Sequence, residues 1–503
     1  MASSTSLTDT PPSGVSSGLD RWFEITARGS SVGREIRGGL VTFFTMAYII
    51  VLNPIILGRA PDKFGNLIIG LPAEGPGAEA AADASVAAVA VATAVVAGVM
   101  TILMGGVGRF PAAIAAGLGL NSIVAFQVAM MVGWPAAMGF VFWEGVIVLV
   151  LVVTGFRRAV LAAVPRPIRS AISVGIGLFI AFVGLADAHV VTQAGGTPVQ
   201  LGIDGKLQSW PTAIFVVVLF LLIALWVRKV KGAMLIAIVA GTVLAIVLQA
   251  ALNLPSSGVD PGGWALNIPA LQAYAPLDFS LFTVPFTNPT DFFFGAFTQT
   301  DGAVVSAILV ILSLMLADFF DTMGTVVAVG AEGGLLEEGG YPKRVQSILL
   351  IDSVAAVAGG LGSTSSNTLY IESASGVGDG ARTGLASIAT GLAFLLTLAI
   401  APFVNMVPFE AATPALFFVG CLMMAQVTEI KWADIEEALP AFAAIALMPF
   451  TYSITNGIGA GFLVYCFVKV VRGKVKEVHP LLWVVSAMFV IYFGQGLITY
   501  LLG

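Results

Sequence analysis

Fourteen apolar runs, each of about 20 residues, limit the fold of this chain more than any other feature because a run of this length crosses a bilayer as a helix. They lie near residues 38–57, 85–106, 110–131, 135–155, 167–186, 210–227, 232–252, 303–329, 345–361, 363–379, 383–404, 413–429, 437–453 and 457–471. The mean hydropathy of +0.97 excludes a water-soluble chain of this size. The sequence therefore predicts an all-α, polytopic membrane protein with 14 transmembrane spans.

The basic residues predict the orientation of these spans. If the N-terminus is cytoplasmic and the spans alternate, all of the 23 Lys and Arg residues except Arg59, Lys63 and Lys206 lie on the cytoplasmic side. An excess of positive charge on that side is the usual pattern in membrane proteins. The charge distribution therefore supports the number of spans and a multi-pass protein of the cell membrane, plasma or inner, with a cytoplasmic N-terminus.

The spans divide into two sets of seven with polar segments around them. The predicted segments are a cytoplasmic N-terminal tail (1–37), a first seven-span repeat (38–252), an extracytoplasmic connection (253–302), a second seven-span repeat (303–471) and a C-terminal segment (472–503). Because each repeat has an odd number of spans, the two insert in opposite orientations, as in many secondary transporters. The apolar run at 481–502 is either an extra span or a helix against the bundle, and the sequence leaves both open.

The third span of each repeat contains residues that interrupt an ordinary helix. Residues 110–121, FPAAIAAGLGLN, carry a proline and two glycines, and residues 362–380, GSTSSNTLYIESASGVGDG, carry a polar run. Non-helical backbone at membrane depth occurs only where protein or a water-filled cavity satisfies its N–H and C=O groups. Paired interrupted spans indicate the central site of a transporter. We expect spans 3 and 10 each to contain a short extended stretch that leads into a half-helix.

The eighth span, LADFFDTMGT at 316–325, carries two carboxylates inside an apolar run. A helical repeat of 100° per residue places Asp318, Asp321, Thr322 and Thr325 within an arc of about 100°. An unpaired acid at the bilayer centre costs about 2.5–3.5 kcal/mol, so this arc should face a cavity or a partner, with Glu372 of span 10 as its neighbour. Acids without a nearby base repel unless one binds a proton or a cation.

Five segments resemble the AzgA-like purine permeases, the hypoxanthine, guanine and adenine transporters related to the uracil permease and the nucleobase-ascorbate transporters. They are GREIRGGLVTFFTMAYIIVLNP (33–54), AAGLGLNS (115–122), DFFDTMGTVVAVG (318–330), YIESASGVGDGARTGLASIATGL (370–392) and DIEEALPAFAAIALMPFTYSITNGIGAGF (434–462). The resemblance implies purine import by proton symport. It also implies a core domain from spans 1–4 and 8–11, a gate domain from spans 5–7 and 12–14, an elevator-type movement and a homodimer.

The same resemblance assigns the site residues. It makes Asp321 the substrate-binding acid and Thr325 the polar residue one turn further on, and it adds Glu372 and Ser373 from span 10 and Asn121 from span 3. A carboxylate suits a purine because it accepts two N–H groups from the edge of the base.

The coupling proton is expected at a second, overlapping set of residues. Asp318, Glu372 and Thr322 are assigned to proton coupling or to support of the substrate-binding residues, because at least one acid in such a group must bind a proton or a cation. The choice between proton and sodium, the preferred purine and the oligomeric state remain open at this point.

Two other classes compete with a purine carrier. GVGDG at 376–380 contains the Gly-x-Gly-Asp sequence of intramembrane aspartyl proteases, but Asp379 falls at a cytoplasmic end beside Arg382. An anion transporter or channel of the same inverted-repeat fold would favour a basic residue at the centre, where this chain has acids. Cys421 and Cys466 lie in apolar spans without metal-ligand spacing. We therefore expect no catalytic residue, no metal, no nucleic-acid partner and no cofactor beyond the coupling proton.

Overall fold

The computed structural model describes residues 18–155, 164–193, 198–202, 205–254, 266, 277–300, 303–338, 341–400, 404 and 406–502. Within these ranges, nine helical stretches are long and apolar enough to cross a membrane: Val32–Arg59, Ala78–Gly108, Trp134–Val153, Arg166–Asp187, Trp210–Val227, Ala233–Leu252, Val304–Glu332, Phe409–Glu429 and Ile454–Val471. Leu118–Val128, Val345–Leu361, Gly384–Ala399 and Pro480–Gly494 are shorter apolar helices. The predicted helical membrane protein is confirmed.

The helices and strands follow the predicted runs closely. The first half contains α1 (Gly18–Phe23), α2 (Val32–Met46), α3 (Ile49–Arg59), α4 (Ala78–Leu103), β1 (Ile114–Ala116), α5 (Leu118–Ile123), α6 (Trp134–Val153), α7 (Arg166–Asp187), β2 (Val191–Thr192), β3 (Gln200–Leu201), α8 (Trp210–Val227) and α9 (Ala233–Leu252). The second half contains α10 (Val284–Thr287), α11 (Pro289–Thr298), α12 (Ala303–Glu332), α13 (Val345–Leu361), β4 (Asn367–Leu369), α14 (Ser373–Gly378), α15 (Gly384–Leu396), α16 (Phe409–Met423), α17 (Ile435–Phe450), α18 (Ile454–Val471) and α19 (Pro480–Leu502).

Side-chain caps explain where several of these helices begin. Ser31, Ser209, Thr383 and Ser453 each accept a backbone N–H from the first turn of the helix that follows. Such a cap satisfies one of the N–H groups that a helix start leaves without a partner. Because Ser31 caps α2, this helix begins at Val32, inside the segment 1–37 that the sequence assigns to the tail.

The predicted connection and C-terminal segment also contain helices. In the connection at 253–302, α11 packs against α6, and the Phe292 side chain is fully buried there. The Trp143 indole N–H of α6 donates to the carbonyl of Phe293 at 2.8 Å. The C-terminal run forms the 23-residue helix α19, which contacts α18 and α12.

The two halves repeat one order of elements. After α3, the chain forms a β-bridge between Asn66 and Pro72, then α4, β1 and the short helix α5. After α12, it forms a bridge between Leu336 and Pro342, then α13, β4 and the short helix α14. The predicted extended stretches of spans 3 and 10 are therefore present, each in front of a half-helix.

The two extended stretches meet at the centre of the molecule. Strand β1 pairs with β4 in antiparallel register, with Ala115 opposite Thr368. This pairing satisfies backbone groups that would otherwise be unpartnered at membrane depth. It brings the starts of α5 and α14 to one place, as expected for two inverted halves.

The helices pack as two groups. One group contains α2–α6 and α12–α15, in which α6 packs on α13 and α15 packs on α2 and α4. The other contains α7–α9 and α16–α18, in which α7 packs on α16 and α17. Contacts between the groups include those of α12 with α7 and α18, and of α9 with α2.

Small residues allow close packing inside the first group. A Cβ added at Gly391 of α15 would lie 2.6 Å from the carbonyl oxygen of Gly98 on α4, and one added at Gly98 would lie 2.7 Å from the Leu395 side chain. Backbones approach this closely only where a helix carries glycine, which is a common device of membrane helices.

Candidate functional site

A cavity lies where the paired strands meet the second helix group. Its wall is formed by α12, by β4 and the start of α14, by the start of α5, and by α7 and α16 of the other group. The lining residues are Tyr48, Gly117, Leu118, Gly119, Leu120, Ile172, Ser173, Ile176, Ala317, Phe320, Asp321, Thr325, Thr368, Leu369, Tyr370, Ile371, Glu372, Val419 and Met423. The cavity therefore lies between the two packing groups.

The predicted polar arc of α12 divides into two rows. Asp321 and Thr325 are one turn apart and line the cavity. Asp318 and Thr322 are also one turn apart but are fully buried behind the cavity wall, with 0% and 1% exposure. Residues four apart lie above each other on a helix. The helix thus presents one row to the cavity and the other to β4 and its neighbours.

Glu372 lies at the N-terminus of α14 and lines the cavity. The Tyr48 hydroxyl, at the break between α2 and α3, donates to Glu372 Oε1 at 2.5 Å. A charged acceptor makes such a bond stronger than a neutral one. Glu372 and Asp321 are also electrostatic neighbours across the cavity. Three predicted residues, Asp321, Thr325 and Glu372, are therefore brought together.

Tyr48 is a lining residue that the sequence reasoning did not select. It lies in the segment 33–54, one of the five that resemble the purine permeases, so the sequence drew attention to the segment but not to this residue. Only the packing of the break between α2 and α3 against α14 brings its hydroxyl to Glu372. Tyr370, also missed, donates from its hydroxyl to the carbonyl of Ala116 at 2.5 Å.

Thr322 and Asp352 hold strand β4 from behind. The Thr322 hydroxyl donates to Asp352 Oδ2 at 2.8 Å, and Asp352 Oδ1 accepts the backbone N–H of Leu369 at 3.1 Å. Thr322 and Thr368 hydroxyls are 2.6 Å apart. A hydroxyl has one proton to donate, so the Thr368 hydroxyl is the donor to Thr322 in this arrangement. Thr322 thus does not line the cavity itself but is hydrogen-bonded to Thr368, which does.

Ser373 and Asn121 do not line the cavity. The buried Ser373 hydroxyl accepts the backbone N–H of Ala113 at 3.0 Å, which joins α14 to the segment before β1. Asn121 of α5 is fully buried, and neither atom of its amide has a hydrogen-bond partner within the described ranges. Their proposed contact with substrate remains a prediction.

The charge of the cavity is acidic. Its described lining residues include Asp321 and Glu372 but no Lys, Arg or His. In the part of the chain that the structure describes, no group of three His, Cys, Asp or Glu side chains is arranged to hold a metal ion. The free Cys421 is exposed, and Cys466 is buried with its Sγ 3.2 Å from the Ser486 hydroxyl.

The fold and its central cavity define a multi-pass membrane protein of the transporter class. The sequence profile of the Permease family (Xan_ur_permease) matches residues 33–460. The chain therefore belongs to this permease family, and the expectation of a transporter rather than an enzyme is confirmed.

Curated relatives agree with the motif resemblance. The chain is 36% identical over 484 residues to the guanine/hypoxanthine permease PbuG of Bacillus subtilis. The match covers 94% of this chain and 99% of the relative. It is 33% identical over 475 residues to the adenine permease AdeP of Escherichia coli, covering 94% and 95%. The resemblance to purine permeases is thus confirmed.

Solved structures share the fold at low sequence identity. The transmembrane domain of the cyanobacterial bicarbonate transporter BicA is 16% identical with a TM-score of 0.55, over 85% of this chain and 97% of that one. The murine Slc26a9 anion transporter in the inward-facing state is 11% identical with a TM-score of 0.57, over 92% and 73%. At these identities the likeness concerns the fold alone.

Proposed function

We propose that this chain imports the purine nucleobases hypoxanthine, guanine and adenine by proton symport. The observation that carries the proposal is the pair of acids, Asp321 and Glu372, that face one cavity in a permease whose relatives are named for these purines. The proposal includes no cofactor, and the proton is its coupling ion.

The cavity offers what a purine needs. The Asp321 carboxylate accepts two N–H groups from the edge of the base, and Thr325, one turn further on, provides a hydroxyl. Phe320 and Tyr370 supply aromatic surface for the ring faces. Glu372, oriented by Tyr48, is the second acceptor for N–H groups of the base. Ser373 and Asn121 are the further proposed substrate-binding residues, each next in sequence to a lining residue, Glu372 or Leu120.

Proton coupling follows from the acidic character of the site. Two carboxylates that face each other without a basic residue repel, so the site is more stable when one of the acids binds a proton. Loading of a proton reduces the charge that must cross the membrane with the base. Asp318, Thr322 and Glu372 are the proposed coupling and supporting residues.

The architecture that we propose is a 7+7 inverted repeat with 14 spans and a cytoplasmic N-terminus. The repeated order of elements and the antiparallel pairing of β1 with β4 support it. We propose that the two packing groups are a core domain (spans 1–4 and 8–11) and a gate domain (spans 5–7 and 12–14). An elevator-type movement of one against the other, in a homodimer, would alternate access to the cavity between them.

An anion carrier is less compatible with the site, although two solved structures of this fold are named anion or bicarbonate transporters. Anion sites favour basic side chains and helix N-termini, whereas this cavity has two acids. A protease is also disfavoured, because Asp379 is bonded to Arg37 and Lys231 at one end of α14.

The proposal is tested with purified protein in proteoliposomes. Uptake of labelled hypoxanthine is measured with and without an inward proton gradient, and unlabelled bases compete. We expect gradient-driven uptake that guanine or adenine inhibits and that Asp321→Asn abolishes. Absence of uptake for every base, with the protein folded and inserted, would rule out a purine carrier.

A further inference from the structure

A second group of acids lies behind β4, outside the cavity lining. Glu144 of α6 and Asp318 of α12 are both fully buried. Glu144 Oε2 accepts the Ser366 hydroxyl at 2.9 Å. In the described part of the chain, however, Glu144 Oε1 and both oxygens of Asp318 have no hydrogen-bond partner. A buried acceptor without a donor is costly, and a buried carboxylate more so.

The two carboxyl groups are close enough to interact directly. Asp321 on the same helix as Asp318 and Asp352 on α13 are the other titratable neighbours, and both are acids. The nearest uncharged polar neighbours are the hydroxyls of Thr368 and Ser366. No ion pair links Glu144 or Asp318 to a basic residue within the described ranges.

A single proton resolves this arrangement. Two adjacent carboxylates cannot both be charged without a cation, but a carboxylic acid donates a hydrogen bond to a neighbouring carboxylate. The pair then carries one negative charge, and one hydrogen bond joins Glu144 Oε1 to one of the two Asp318 oxygens. Such a pair binds and releases its proton as a unit. No group of three acidic, His or Cys side chains suited to a metal ion is found among the described residues.

We infer that Glu144 and Asp318 share one proton and that this proton is the one carried with the substrate. The inference rests on the proposed proton symport. Among the residues proposed there for coupling it assigns the carried proton to Asp318, and it adds Glu144 of α6 as the acid that shares this proton. The proton enters from the extracytoplasmic side, lies between the two carboxyl groups during transport, and leaves to the cytoplasm. No covalent bond other than the O–H bond forms or breaks.

The position of the pair connects it to the substrate. Asp318 lies one helical turn from Asp321, and Thr368, which lies beside Asp318, lines the cavity. When Asp321 is ionised to accept the N–H groups of a base, its charge disfavours a second ionised acid at Asp318. The substrate-binding form of the site therefore retains the proton, and the two are carried together.

The variant Glu144→Gln tests the shared proton separately from proton symport. The Gln oxygen still accepts from Ser366, and its amide N–H donates to one Asp318 oxygen, so Asp318 gains a donor without binding a proton. We expect exchange of labelled for unlabelled hypoxanthine to remain, while accumulation driven by a proton gradient is lost. Proton influx on addition of hypoxanthine, followed with an internal pH dye, should fall to background.

Two further variants control for folding and for a merely structural role. Asp318→Asn should uncouple in the same way as Glu144→Gln, and it replaces that variant if Glu144→Gln does not elute as a folded protein. Ser366→Ala removes the hydrogen bond to Glu144 but leaves both acids, so its proton influx should persist. Infrared spectroscopy of wild-type protein should detect a protonated carboxyl band that Glu144→Gln lacks.

The outcomes distinguish the shared proton from proton symport in general. Wild-type protein that couples uptake to protons, with Glu144→Gln equally coupled, would overturn the role of the pair and leave proton symport intact. Wild-type uptake driven by sodium instead would overturn both proton symport and the shared proton. Loss of proton influx in Ser366→Ala as well would assign the pair a structural role.

Discussion

The acids at the centre of the molecule differ from those at the end of its helices. Asp321 and Glu372 share a cavity whose described lining has no basic residue. Asp379, after α14, instead bonds Arg37 at 2.6 Å and Lys231 at 2.5 Å. Where neighbouring cations already neutralise an acid, its charge serves to hold the structure together. Where none does, a proton or a ligand must neutralise it, and that exchange is what a transporter needs.

A second peripheral acid has the same character as Asp379. Glu436, at the start of α17, bonds Lys469 at 2.9 Å and Lys474 at 2.8 Å. Both acids therefore keep their charge through neighbouring cations. The Lys231–Asp379 pair also connects the two packing groups, since Lys231 precedes α9 and Asp379 follows α14. The peripheral acids thus hold helix ends together.

The largest difference is expected between Asp321→Asn and Asp379→Asn. Asp321→Asn replaces one carboxylate oxygen by an NH₂ group, so a base loses an acceptor and meets a donor in its place. We expect hypoxanthine binding to weaken by about 100-fold or more, since two charge-assisted hydrogen bonds are affected. Equilibrium binding of labelled base measures this. Equal losses in both variants would contradict a functional distinction between centre and periphery.

Tyr48→Phe should have an intermediate effect. The change removes the hydroxyl that donates to Glu372 without altering the shape of the ring. Glu372 therefore loses the hydrogen bond that orients its carboxyl group. We expect a loss of about tenfold in uptake, as for one hydrogen bond to a charged group. Tyr465→Phe, at a tyrosine that does not line the cavity, is the matched control. Unchanged uptake in Tyr48→Phe would mean that the bond does not position Glu372.

Thr322→Val should affect stability and uptake together, but less. Valine keeps the volume and removes the hydroxyl, which leaves Asp352 Oδ2 without this donor at a cost of about 1–3 kcal/mol. A lower melting temperature in detergent and a raised KM for uptake are expected because β4 carries Thr368 into the cavity wall. Thr322→Ser, which retains the hydroxyl, should restore both. A normal KM for Thr322→Val would show that the hydrogen bonds behind β4 do not affect substrate binding.

Asp379→Asn should have the smallest effect. Its hydrogen bond and charge interaction with Lys231, followed by those with Arg37, hold the pKa of Asp379 below its ordinary value. A lowered pKa stabilises the folded state above the ordinary carboxyl pKa of about 3.9, and the gain is lost as the pH falls below it. An exposed pair contributes less than about 1 kcal/mol and is weakened by salt.

Thermal unfolding against pH measures this last effect. The melting temperature of wild-type protein should exceed that of Asp379→Asn near neutral pH, and the two curves should converge in acid. The difference should also shrink when salt is added at neutral pH. A difference that persists in acid would show that the carboxylate charge is not its cause.

Much of the fold was predictable because a membrane imposes simple rules on sequence. Runs of apolar residues located the helices, and the interrupted spans at 110–121 and 362–380 located β1 and β4. The polar arc of α12 was also recognised, but helical periodicity could not divide it. Asp318 and Asp321 fall within the same arc, and only the packing of α12 against β4 assigns one to the interior and the other to the cavity.

The sequence by itself determined that this chain is a multi-pass membrane protein with acids inside its apolar spans, because apolar length and charge distribution act locally along the chain. The permease family followed from the resemblance of its motifs. The tertiary structure alone decided which side chains meet. Tyr48 lies 324 positions before its partner Glu372, and Ser366 lies 222 after Glu144. No local pattern encodes such contacts, since they arise only when two distant segments pack against each other and share buried donors and acceptors.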